Sequence, residues 1–85
     1  MTQANPRAMA VGMRDRALLH RHLKEALDHV ARGEAHMRRQ REVISEFERD
    51  GRETALAKRL LAEFEAMQKM HIADRDRIIK ELGGE

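Results

Sequence analysis

From Leu19 to Phe47 the apolar and small residues fall at Leu19, Leu23, Ala26, Val30, Gly33, Met37, Gln40, Ile44 and Phe47, alternating steps of four and three without a break. A strand cannot use such a pattern, because its faces repeat every second residue. A helix places all nine positions on one side, and the mean step of 3.5 is the period of a coiled-coil seam. The spacing predicts a helix over 14–49, with Leu23, Val30, Met37 and Ile44 at one core position and the other five at its partner position. Gly33 and Gln40 are the weak members. A glycine inside a helix costs about 1 kcal/mol against alanine, but it lets a facing helix come close.

Asp50-Gly51-Arg52-Glu53-Thr54 ends the pattern. Gly51 suits a left-handed helix stop and Thr54 suits the start of a new helix. A turn over 50–53 followed by a helix over 54–82 is short enough to force the two helices antiparallel. In the second helix Ala57, Phe64, His71 and Ile78 recur every seven residues. The flanking seam row is either Leu61, Gln68, Arg75 and Leu82, or Leu60, Met67, Asp74 and Glu81. Opposed residues in an antiparallel pair have a constant index sum. A sum of 101 sets Val30 against His71 and Met37 against Phe64, with Arg75 near Ala26. A sum of 104 sets Gly33 against His71 and buries Asp74 near Val30. The first is preferred, because the buried aspartate is the harder to satisfy. Residues 1–13 show no sustained period and are expected to be a disordered or frayed lead-in to the 14–85 hairpin, with Asn5-Pro6 the alternative site of an early helical start.

The fold class expected is therefore all-α: an antiparallel two-helix coiled-coil hairpin. Composition agrees, since Ala, Glu, Lys, Leu and Arg supply 47 of the 85 residues. The same composition argues that one hairpin is not the final state. Leu, Ile, Val and Phe total only 17, with no Trp or Tyr. Two helices share a single interface, and Leu27, Val43, Leu56, Leu60, Met70, Ile72 and Ile79 lie off it. Covering them predicts a homodimer forming a four-helix bundle, with another helical protein as the alternative partner. No apolar run reaches the roughly 18 residues of a membrane span, and the N-terminal decapeptide has no apolar stretch of signal-peptide type. No membrane partner is expected, and the expected location is the cytoplasm.

Chemistry is sparse. There is no Cys, no glycine-rich phosphate loop, and no hydroxyl after Thr2 except Ser45 and Thr54. No catalytic residue, no cofactor and no enzymatic activity are expected. Five histidines stand out: His20, His22, His29, His36 and His71. His22, His29 and His36 form a stripe at intervals of seven, about 10.5 Å apart along the axis, too far for two to share a metal. His71 comes from the other helix. Partly buried, hydrogen-bonded histidines are the plainer reading. A histidine-based metal or small-ligand site is the second, and a pH response through His71 the third. The basic cluster Arg38-Arg39-Gln40-Arg41 is followed by Glu42, Glu46 and Glu48, so nucleic acid is not the expected partner. Asp74-Arg75-Asp76-Arg77 reads as ion-pair lacing, as do the (i, i+4) pairs Arg21/Glu25, Glu34/Arg38, Arg38/Glu42, Arg59/Glu63, Glu65/Lys69 and Asp76/Lys80.

One resemblance spans about residues 18–82. The string His22-Leu23, Ala26, His29-Val30, Gly33, His36, Gln40, Ile44, Asp50-Gly51, Thr54, Ala57, Leu60-Leu61, Phe64-Glu65, His71 and Ala73-Asp74-Arg75-Asp76-Arg77-Ile78 resembles a group of small bacterial helical-hairpin proteins of unassigned function. The resemblance implies a bacterial, cytoplasmic chain and carries over no catalytic or binding residue.

Overall fold

The computed structural model describes the backbone of residues 6–83 and the side chains of 15–83. Two helices, α1 (Pro6–Arg49) and α2 (Ala55–Gly83), pack side by side as an antiparallel hairpin. The molecule is a rod of 77 × 16 × 14 Å. Helix α1 begins eight residues before the expected start at 14. Pro6 occupies its first turn, where a missing N–H costs nothing and a fixed φ is already helical. Of the expected lead-in, residues 6–13 are thus helical, and 1–5 lie outside the described residues.

The turn follows from a few backbone bonds. Gly51 has φ of 69°. Its N–H donates to the Glu48 carbonyl at 3.2 Å, and the Arg52 N–H donates to the Phe47 carbonyl at 2.8 Å. These are the two bonds of a Schellman motif, with glycine in the left-handed position that a side chain would oppose. That motif commonly adds an apolar contact between the residues flanking the cap. Here the Arg52 guanidinium lies 4.2 Å from the centre of the Phe47 ring instead, a cation–π contact. The Thr54 carbonyl accepts the first α2 bond, from Lys58 N at 2.8 Å, so Thr54 caps α2 and Ala55 is its first helical residue.

All nine residues of the α1 seam are buried or half-buried. On α2 the row that turns inward is Leu61, Gln68, Arg75 and Leu82, while Leu60, Met67, Asp74 and Glu81 face outward. Ala26, Val30, Ile44, Ala57, Ile78 and Gln68 form the buried centre. Two glutamines cross the seam in opposite directions. Gln68 Nε2 donates to the Val30 carbonyl at 2.9 Å, and Gln40 Nε2 donates to the Ala57 carbonyl at 2.9 Å. Gly33 explains how Gln68 fits, because a Cβ there would land on the Gln68 carboxamide. The helical glycine is the hole and the glutamine the knob. This contact pairs 33 with 68, the sum of 101. In detail the pairing differs by about one position from that expectation: His71 meets His29 and Phe64 meets His36, rather than Val30 and Met37.

The lacing expected within Asp74-Arg75-Asp76-Arg77 is present, whereas the expected (i, i+4) pairs are not among the exposed ion pairs. Among the described residues they are Arg39 with Glu42 and Glu46, Arg75 with Asp76, and Arg77 with Asp74 and Glu81. Each exposed pair contributes only a few tenths of a kcal/mol, so several pairings are nearly equivalent and sequence spacing does not select among them. No described helix is long and apolar enough to cross a membrane.

Candidate functional site

One face of the hairpin beside the seam carries a row of exposed apolar side chains. At the turn end it is a groove where Val43, Phe47, Leu56 and Leu60 lie among Glu53, Arg59 and Glu63. Midway it becomes a cleft of about 230 Å³ walled by His29, Arg32, His36, Phe64, Met67 and His71, with Gln68 and Gly33 at its floor. Met70 and Asp74 flank His29 and His71, and toward the open end His22, Asp74 and Ile78 continue the surface. The stripe is one helical face on each element: His29, His36 and Val43 are seven apart on α1, as are Leu60 and Met67 on α2.

Exposure on this face is large. Leu56 is 77% exposed, Met70 72%, Met67 54% and Leu60 41%. Val43 is half-buried. The expected off-seam residues therefore divide. Leu56, Leu60, Met70 and Val43 gather here. Leu27, Ile72 and Ile79 fall on the opposite helical arcs, with Ile72 half-buried and the other two exposed. Met67 joins the first group, because Gln68 rather than Met67 enters the seam.

The histidines are not scattered along this face. The His29 and His71 rings, from opposite helices, have centroids 5.0 Å apart and planes at 46°. The His36 ring stacks on Phe64 at 5.5 Å and 18°. His29 is exposed and His71 half-buried. Asp74 is one turn beyond His71, but its carboxylate is engaged by Arg77, whose guanidinium donates to Asp74 Oδ1 at 2.6 Å. That hydrogen bond holds the Asp74 carboxyl below the usual carboxylate range and raises the Arg77 guanidinium. Among the described residues no three potential ligands converge on a metal-sized site.

Sequence spacing placed the α1 stripe beside the seam and His71 within it, but set His71 against Val30 or Gly33 rather than His29. The close approach of His29 to His71 is a cross-helix contact, and the signal for it was the index sum. A pairing near 100 brings 29 and 71 to one level. In the basic cluster Arg38, Arg39 and Arg41 are all exposed; Arg39 faces Glu42 and Glu46, and Arg38 and Arg41 line one shallow hollow with Arg49 and with Glu42, Glu46 and Glu48.

No protein-family model matches the chain, and no curated protein or solved structure matches it.

Proposed function

We propose that this chain is a non-enzymatic interaction module that pairs, face to face, with a second copy of itself to form a four-helix bundle. The observation that carries the reading is the histidine-bearing face: four large apolar side chains stand in solvent on one side of a hairpin whose seam buries no side chain completely. Large apolar side chains grouped on one exposed face and rimmed by charged residues are a feature of interaction surfaces.

Area and shape favour a second copy as occupant. Helix α2 is about 44 Å long, and the rod is 16 Å wide. A face of those dimensions supplies about 700 Å² per chain, or about 1,400 Å² for a pair, within the range of stable specific interfaces. A twofold axis through the middle of that face makes the contact self-complementary. It also addresses the unequal helices. Helix α1 has 44 residues and α2 has 29. With the pairing near a sum of 100 and α2 ending at Gly83, the backbone of α1 continues past the end of α2. In a twofold pair centred on α2, the turn end of the second copy extends past Leu82 and alongside that stretch. Leu18, which is 43% exposed, sits at its edge on the same arc as His29 and His36. The proposed setting is the cytoplasm.

Light scattering on two charge variants tests the reading. Leu56→Glu/Met67→Glu is expected to give a single-chain mass with helicity largely kept, whereas Leu27→Glu/Ile79→Glu on the opposite face leaves the mass doubled. A reversed result, or a single-chain mass for the unmodified protein at 100 µM (about a hundredfold above a micromolar Kd, where pairing would be nearly complete), overturns it.

A further inference from the structure

The His29 and His71 rings meet across the seam at a separation that packed rings and rings sharing an ion have in common. Two imidazoles that share one tetrahedral ion at metal–nitrogen distances of about 2.0–2.1 Å have ring centroids about 5 Å apart. The His29 and His71 centroids are 5.0 Å apart. We propose that His29 and His71 form a two-histidine chelate, one per hairpin, for a late first-row divalent ion of the zinc, nickel or copper class.

Three features of the surroundings fit that class. Neutral imidazole is a ligand of choice for these ions and a poor one for magnesium or calcium, which take oxygen ligands. The two ligands come from different helices, so the ion would tie α1 to α2 across the seam. The cleft is open on its outer side, because His29 is exposed, and its volume of about 230 Å³ admits an ion with its remaining water ligands. Among the described residues no third ligand joins the two imidazoles: Arg77 donates to one oxygen of the neighbouring Asp74 carboxylate, and Arg32, a fixed cation, lines the same cleft. His36 is stacked against Phe64, and His22 lies two helical turns before His29, so neither belongs to the chelate.

Both ligands lie within one hairpin, so the inference stands or falls separately from self-association. The test uses tag-free protein and zinc chloride, followed by isothermal titration calorimetry at neutral pH. His29→Gln and His71→Gln are compared with wild type, His20→Gln serves as the exposed-histidine control, and magnesium chloride is the control ion. Circular dichroism confirms that each variant keeps its helicity. The expected result is saturable zinc binding at no more than one ion per chain. Affinity should fall at least tenfold in each of the two variants and stay unchanged in His20→Gln, with no magnesium binding. A second readout is thermal: zinc should raise the melting temperature of wild type and not of His71→Gln. Absence of saturable binding up to millimolar zinc, or binding that survives both His29→Gln and His71→Gln, overturns the proposal. Should either variant fail to fold, the melting shift of wild type with zinc against magnesium decides: no zinc-specific shift rejects the site.

Discussion

The Gly33–Gln68 contact is where single residues decide the most. Glycine in mid-helix costs about 1 kcal/mol in propensity, yet Gly33→Ala should not recover that amount. The new methyl would meet the Gln68 carboxamide, which is fixed on the Val30 carbonyl. Overpacking of this kind costs about 1–3 kcal/mol, so urea denaturation should show Gly33→Ala to be destabilised. In a Gln68→Ala background the same change should become neutral or stabilising, a coupling of about 1 kcal/mol or more. Equal effects in both backgrounds would show that the two residues do not interlock. Gln68 also explains part of what the sequence left open. Its row and the Met67 row look alike by apolarity. What separates them is that α1 offers a hole at Gly33, and that the partly exposed Arg75 side chain reaches Asp76 at 2.9 Å. Asp74 tests the surface electrostatics at the same scale. Its folded-state value is depressed by Arg77, so whatever stability the pair contributes is present above the unfolded value and lost as pH falls through the folded one. An NMR titration should find Asp74 ionising below an ordinary aspartate, and Arg77→Ala should return it toward normal.

At the scale of whole elements, the chain is strongly specified on α1 and less so on α2. The 4,3 alternation named nine of the inward residues of α1 from Leu19 to Phe47, because a helix period admits only one such face, and left out only the half-buried Val43 beside Ile44. The start of α1 was not legible. Residues 6–13 have no seam to show, and only Pro6 hinted at a first turn. The turn was legible in kind, since Gly51 and Thr54 do what their chemistry favours. It was not legible in detail, because the stacking of Arg52 on Phe47 depends on a side-chain path that spacing does not encode. Gly51→Ala is expected to destabilise the hairpin by about 1–2 kcal/mol, the cost of a left-handed L-residue. No steric term adds to it, because nothing lies near the would-be methyl. Thermal or urea melting measures this, and an unchanged midpoint would mean that the left-handed cap does not hold the turn.

At the scale of the molecule, two helices packed into one rod 16 Å across make a single seam and leave Leu56, Leu60, Met67 and Met70 outside it. The surplus of apolar residues over seam positions was countable from the sequence. Which of them share a face was not, because that needed the choice between Gln68 and Met67. The histidine pair belongs to this scale as well, since it arises only when the helices are laid side by side. Sedimentation equilibrium of the unmodified chain from 1 to 100 µM, with helicity followed in parallel, tests the central claim most directly, because a face with a micromolar Kd would populate both states across that range. The account predicts a fully helical species of about twice 9.9 kDa at the upper concentrations. A fully helical species that stays at 9.9 kDa throughout would contradict it.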